Sequence, residues 1–346
     1  MTREQLDERY RQVRSQTEAL CAPLDPEDCL VQSMPDASPA KWHLAHTSWF
    51  FETFVLRRGV KTYAPVNEAY LHLFNSYYNT VGDQHPRPRR GVLSRPTLKE
   101  VFEYRRHVDR WMSKLATQEP EGGFSKLAPV IELGLNHEQQ HQELILTDIK
   151  HAFGSSPLAP VYRNGRASVS TPTGSPGAAS PAVPPPGRWV AYEPGAVEIG
   201  HQGSRFAFDN EQPRHTQYLR PYELAETLVS CGQYLEFIDD RGYDRPELWL
   251  SDGWEAKERH RWSAPLYWRL REEGRPQLFT LSGLRDLDPA EPVCHLSYYE
   301  ADAFARWSGA RLPTEGEWEC AAGHLPVAGN FLESGLLHPT SAALPA

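Results

Sequence analysis

N-H-E-Q-Q-H-Q-E-L-I-L, Asn136 to Leu146, sets His137 and His141 four residues apart. On a helix, residues four apart lie on one face about one turn from each other. Two imidazoles so placed can close on a single metal ion without bending the backbone. The flanking pattern is helical, with no Pro from Val130 to Phe153. In projection Val130, Leu133, Leu144 and Asp148 fall on the histidine side, while Glu138 and Gln139 rotate away. A lone H-x-x-x-H reads equally well as an amphipathic helix with two histidines at its edge, because chance matches are common. The metal reading therefore needs a third ligand from elsewhere in the chain.

The candidate lies in W-H-L-A-H-T-S-W, Trp42 to Trp49. At the helical repeat His46 falls in the middle of an arc with Trp42, Trp49, Phe50 and Thr53, and His43 lies about 60° to one side. An imidazole centred on a buried, Trp-rich face needs a partner, since desolvating it alone is unfavourable. Taken singly, His46 reads as a core histidine bonded to a backbone carbonyl. Beside His137 and His141 it completes a trio on two helices, one face of a coordination sphere with positions left open for O2 and a substrate. Imidazole suits Fe, Zn, Cu or Ni, so the ligand type does not choose the metal.

Around these two words the chain reads as a bundle. Thr2 to Leu20 has a sparse apolar stripe at Leu6, Tyr10, Val13 and Leu20. A second helix is expected from Ser38 as N-cap, with Pro39 in the first position, to about Arg58, stopping at Gly59. Residues 60–96 form a long loop, a length usually tied to function or disorder. Thr97 and Glu100 make a capping box for a third helix, whose apolar residues recur at Leu98, Val101, Phe102, Val108, Met112 and Leu115. The histidine helix, from about Ser125 to Phe153, is the fourth. Four such helices make a bundle the natural fold, and bundles place metal ligands on facing helices.

Composition then changes. Arg163 to Gly187 is Ser, Pro, Gly and Ala with almost no large apolar residue, so it reads as a linker. From Arg188 short apolar runs (Val190–Tyr192, Val197–Gly200, Thr216–Leu219) alternate with Gly and Pro turns. Helical stretches stand out around Ser230–Asp240 and Tyr298–Trp307. This is the pattern of an α+β domain with much irregular structure. The expected division is 1–160 bundle, 161–187 linker and 188–346 second domain, a multidomain chain of α and α+β class.

Lys and Arg number 36 against 45 Asp and Glu, a net charge of −9, which argues against non-specific nucleic-acid binding. No apolar run is long enough to span a membrane, and Met1 to Leu20 lacks the apolar core of a signal peptide. Five widely spaced cysteines (Cys21, Cys29, Cys231, Cys294, Cys320) look like reduced thiols of a cytoplasmic protein. Ten Trp and 15 Tyr exceed what an average core requires and hint at a pocket with aromatic walls.

The two histidine words, W-H-L-A-H-T-S-W-F-F-E-T-F from Trp42 and N-H-E-Q-Q-H-Q-E-L from Asn136, resemble the DinB-like four-helix bundle of the ergothioneine-biosynthesis sulfoxide synthases. The second domain agrees. F-A-F-D-N-E-Q-P-R-H from Phe206, W-L-S-D-G-W from Trp249 and R-W-S-G-A-R-L-P-T-E-G-E-W-E from Arg306 look like the formylglycine-generating-enzyme type of domain, a C-type-lectin-like fold. The resemblance implies a non-haem Fe(II) enzyme that uses O2 to join a cysteine-type thiol, cysteine or γ-glutamylcysteine, to C2 of hercynine and to oxidise the sulfur. It implies His46, His137 and His141 as iron ligands, and Gln140 as a contact to the hercynine imidazole. It also places Arg87 and Arg90, in R-P-R-R-G, on the thiol donor's carboxylate, which guanidinium forks bind bidentately. Taken alone, Arg87–Arg90 reads also as a solvated basic turn.

Members of that family continue well past the word G-N-F-L-E-S-G-L-L-H-P at Gly329, and their catalytic tyrosine lies in the continuation. With Ala346 as its last residue, the chain is expected to carry an incomplete second domain, and no residue is assigned as that tyrosine. Two other readings stand beside the synthase: a DinB-type thiol transferase using zinc or nickel, and a non-catalytic product that only binds metal.

Overall fold

The computed structural model describes residues 2–118, 121–163, 188–270 and 274–341. The chain forms two compact units, Met1–Arg163 and Asn164–Ala346. Most of the expected linker, residues 164–187, lies outside the described residues.

The first unit is the helical bundle. Helix α1 (Arg3–Cys21) starts at Thr2, whose hydroxyl accepts from the Gln5 amide while the Gln5 side chain accepts from the Thr2 amide. It buries the expected stripe of Leu6, Tyr10, Val13 and Leu20, and with it Arg14 and Thr17. Helix α2 (Ala40–Phe51) is buried at every position, so it is the central element of the unit. It runs on through a π-helical turn, Glu52–Leu56, and ends in Arg57–Gly59, the expected stop. Its start differs from expectation. Pro39 is the N-cap and Ser38 does not cap the helix. The Ser38 hydroxyl instead accepts from Arg90, and its amide donates to Asp148. A better partner from another element outcompeted the local cap.

The 60–96 loop is partly ordered into helix α3 (Tyr70–Leu73) and a 3-10 segment, Arg87–Val92. Carbonyls at the end of α3 have no intrahelical donor. The indoles of Trp42 and Trp49 donate to Leu73 and Leu71, and the loop is thereby fastened to α2. Helix α4 (Leu98–Gln118) opens with the Thr97–Glu100 capping box. Helix α5 (Glu121–Ser155) begins four residues before the expected Ser125 and carries Pro129 in its first turns. Helices α1, α2 and α5 pack on one another and α4 packs on α2, the layout of a four-helix bundle.

Glu138 does rotate away from the histidine side of α5, but into the bundle: it is fully buried, whereas Leu133 and Leu144 on the histidine side are exposed. Hydropathy cannot register a carboxylate that arginines from two other helices neutralise.

Among the described residues the second unit has three small antiparallel sheets: β1 (Trp189–Tyr192) with β4 (Tyr222–Ala225), β2 (Gly195–Ile199) with β3 (His215–Leu219), and β5 (Trp268–Arg269), β6 (Gln277–Thr280) and β7 (Gly283–Asp286) in order. Helices α6 (Cys231–Asp239) and α8 (Tyr298–Trp307) match the two expected helical stretches. Helices α7 (Ser251–His260) and α9 (Glu315–Ala322) were not expected, being short and polar. The capping box Thr314–Glu317 marks the start of α9. Tyr234, Phe237, Tyr243, Trp249, Trp268 and Leu278 form the centre of this unit's core. A groove of about 830 Å³ beside it has aromatic walls from Trp189, Tyr222, Tyr234, Phe304 and Trp307.

Candidate metal centre

His46 on α2 and His137 and His141 on α5 bring three ring nitrogens within 4.8 Å of one another. The Nε2 atoms of His46 and His137 are 3.3 Å apart, and those of His137 and His141 are 3.1 Å apart. Separations of this size are those of two nitrogens on one ion, with bonds of about 2.1 Å meeting not far from a right angle.

Close approach of the two helices brings the rings together. Gly134, one turn before His137, faces Phe51 and Phe50, and a Cβ there would meet their ring carbons at 2.6 and 2.8 Å. The rotation of α5 is set from its other side by Glu138. That carboxylate accepts from Arg14 on α1 at 2.9 Å, from Arg105 on α4 at 3.1 Å and from Thr17 at 2.7 Å. Burial alone would raise its pKa, but the two guanidiniums win and hold it down at about 2. A buried ion pair of this kind specifies a register more than it adds stability.

Each imidazole has its own outer partner. His46 Nδ1 donates to the Phe74 carbonyl at 2.6 Å, so its Nε2 carries the lone pair when the ring is neutral. His141 Nδ1 lies 2.8 Å from His43 Nδ1, and His43 Nε2 lies 3.0 Å from Asp148 Oδ2. His137 Nδ1 is buried without a hydrogen-bond partner among the described residues. The ring is packed on Phe50 with centroids 4.9 Å apart.

Protons do not relieve this cluster. Burial, then the neighbouring imidazoles, push His46 and His141 well below the ordinary histidine range, and burial takes His137 down to about 4. Neutral rings with lone pairs converging on one point are unsatisfied until a cation occupies it. The all-imidazole donor set fits a first-row transition metal.

Around the trio runs a stacked column. Trp42 and His46 stack at 4.5 Å and 12°, and His46 and Trp49 at 5.4 Å and 16°. Arg90 closes the column, its guanidinium carbon 3.4 Å from the Trp42 ring centre. The R-P-R-R-G word is therefore not a solvated turn at Arg90, which is buried and bonded to Ser38 Oγ at 2.9 Å. Burial, then Arg87, lower its pKa to about 10, which leaves it charged at neutral pH. Arg87 is half-buried and donates to the Tyr77 hydroxyl at 2.8 Å. The Nε atoms of both arginines are buried without a hydrogen-bond partner among the described residues. Gln140 is exposed on α5 between the two histidines, with exposed Leu133 and Leu144 beyond it.

Sequence reading missed His43, Asp148 and the Glu138 network as parts of the site. The available signal is the position of Asp148 on the histidine side of α5, seven residues after His141.

Two domain families match the chain: the DinB superfamily over residues 9–145 and the sulfatase-modifying factor enzyme 1-like domain over residues 178–341. Among curated relatives, a hercynine oxygenase of Mycolicibacterium smegmatis is 34% identical over 197 residues, covering 57% of this chain and 42% of the relative. One from Mycolicibacterium thermoresistibile is 29% identical over 330 residues, 95% of this chain and 67% of its own. One from Mycobacterium tuberculosis is 30% identical over 328 residues, 94% of this chain and 71% of its own. The chain thus spans less than half of the first of these relatives and about two thirds or slightly more of the other two.

Proposed function

The chain belongs to the hercynine oxygenase family, and from that premise we propose that it serves an Fe(II)- and O2-dependent sulfoxide synthase reaction of ergothioneine biosynthesis. A thiol, cysteine or γ-glutamylcysteine, and the C2–H of hercynine are joined by a C–S bond and the sulfur becomes a sulfoxide. One oxygen atom of O2 ends on sulfur and the other leaves as water with the two hydrogens lost.

His46, His137 and His141 would hold the ion, which when bound would supply one-electron chemistry with O2. The chain's own residues bind and orient. Arg90, pinned on Trp42 and bonded to Ser38, would present its guanidinium to the thiol donor's carboxylate, and Arg87 adds a second guanidinium. Gln140, beside the two α5 histidines on the exposed side, is suited to hydrogen-bond the hercynine imidazole. Fixing both substrates next to the ion converts a three-body encounter into an intramolecular one. The five free cysteines suit a cytoplasmic setting. No helix among the described residues is long and apolar enough to cross a membrane.

The observation that carries this reading is the convergence of three Nε2 atoms in a chain of this family. It is tested by anaerobic loading with Fe(II), followed by O2 uptake. Uptake that requires hercynine plus a thiol, with the sulfoxide found by mass spectrometry, supports the synthase. Thiol transfer without O2 would replace it by a DinB-type transferase, and iron binding with neither reaction would leave a metal-binding chain only. His141→Ala should abolish tight Fe(II) binding, because two imidazoles on different helices hold the ion poorly. Unchanged iron content in that variant would remove His141 from the ligand set.

A further inference from the structure

We propose that Asp148 and His43 are positioning residues that fix the tautomer of His141, keeping its Nε2 free for the metal; this rests on the metal reading of the trio. The relay leaves α5 at Asp148, crosses to His43 on α2 and returns to α5 at His141, one face of the helix and seven residues away.

Its direction follows from the donors. Asp148 Oδ2 accepts from the Ser38 amide at 2.8 Å and lies 3.0 Å from His43 Nε2. An ionised carboxylate only accepts, so His43 carries its proton on Nε2. His43 is buried, and a buried imidazole that already donates from Nε2 has one proton to give, so its Nδ1 is an acceptor. The atom 2.8 Å away, His141 Nδ1, must then be the donor. A neutral His141 with its proton on Nδ1 has a bare Nε2, and that is the atom 3.1 Å from His137 Nε2. The reverse tautomer would aim an N–H at the ion's position and put two lone pairs, those of His43 and His141, against each other.

The three ligands are thus oriented by different means. His46 uses the Phe74 carbonyl, His141 uses a carboxylate two hydrogen bonds removed, and His137 Nδ1 has no hydrogen-bond partner among the described residues. A carboxylate behind a ligating imidazole orients the ring and raises its basicity, and loss of such a partner typically costs about 10–100-fold in metal affinity.

The chemistry of the chain picks the variants. Both bonds to Asp148 fall on one oxygen, so the carbonyl of Asp148→Asn can take both and preserve the relay, whereas Asp148→Leu removes it. Likewise His43→Asn offers a carbonyl oxygen near the place of Nδ1, and His43→Leu offers nothing. Metal-free wild-type chain labelled with ¹⁵N-histidine should show His141 with a protonated Nδ1 and a bare Nε2. In Co(II) titrations the two Leu variants should bind about 10–100-fold more weakly than wild type. The two Asn variants should recover to within a few-fold. The proposal is overturned by a His141 resonance with the proton on Nε2, by wild-type affinity in a folded His43→Leu, or by Asn variants as weak as the Leu ones. If the Leu variants fail to fold, the wild-type tautomer and the Asn variants still decide. Wild-type chain that binds no metal while His141 shows the stated tautomer would sink the metal reading and leave the relay standing.

Discussion

His137 and Glu138 are consecutive on α5 and serve opposite sides of it. The His137 ring points to His46 across 3.3 Å, while the Glu138 carboxylate is fully buried between Arg14 and Arg105. A rotation of α5 that improved one contact would break the other, so the ion pair sets the angle from which the imidazoles reach α2.

Glu138→Ala is therefore expected to cost about 3–5 kcal/mol, because two buried guanidiniums lose their common counter-charge. Urea denaturation of wild type and variant measures it. A loss below about 1 kcal/mol would show that Asp109 and Glu18, which also pair with Arg14 and Arg105, suffice for them and that Glu138 does not set the helix.

Gly134→Ala should destabilise the bundle although alanine is the better helix former. The propensity gain is about 1 kcal/mol, while pushing into the buried rings of Phe50 and Phe51 costs about 1–3 kcal/mol. Since Phe50 also packs on His137, Co(II) affinity should fall with stability. A more stable variant with unchanged affinity would contradict the close-approach account.

Arg90→Lys should raise the KM for the thiol donor by about tenfold or more, with a smaller effect on kcat, since a point charge replaces a planar fork stacked on Trp42. Steady-state O2 uptake at varied thiol concentration checks it. A change confined to kcat would move Arg90 from donor binding to another role.

The second unit should show its own acid sensitivity through Glu317. Arg311 donates to both carboxylate oxygens, at 2.7 and 2.6 Å, and the Thr314 amide donates to one, holding the pKa down from 4.5 to about 2. A depressed folded-state pKa gives stability that is complete above about 4.5 and fades as pH falls toward 2. Thermal unfolding of wild type and Glu317→Gln should accordingly differ at pH 6 and converge toward pH 3. A difference that stays constant across this range would exclude the ionised carboxylate as its source.

Much of the candidate site is legible in the sequence. His137 and His141 share a face because a helix repeats every 3.6 residues, and His46 was singled out because a histidine on a Trp-rich face needs a partner. The helices with regular apolar stripes, α1, α4 and most of α5, followed from periodicity, and the capping box at Thr97 was read correctly. The start of α2 was not, because Ser38 is drawn to Asp148 and Arg90, which come from distant parts of the chain.

What local sequence determined here is which residues share a helix face and which backbone ends are capped, since both depend on neighbours within about four positions. The tertiary structure alone decided that Glu138 is buried, that His43 links Asp148 to His141, and that Arg90 stacks on Trp42. Each of those is a polar group taken out of water, which is tolerable only beside a partner far away in the chain, and no periodicity in the sequence encodes such a partner.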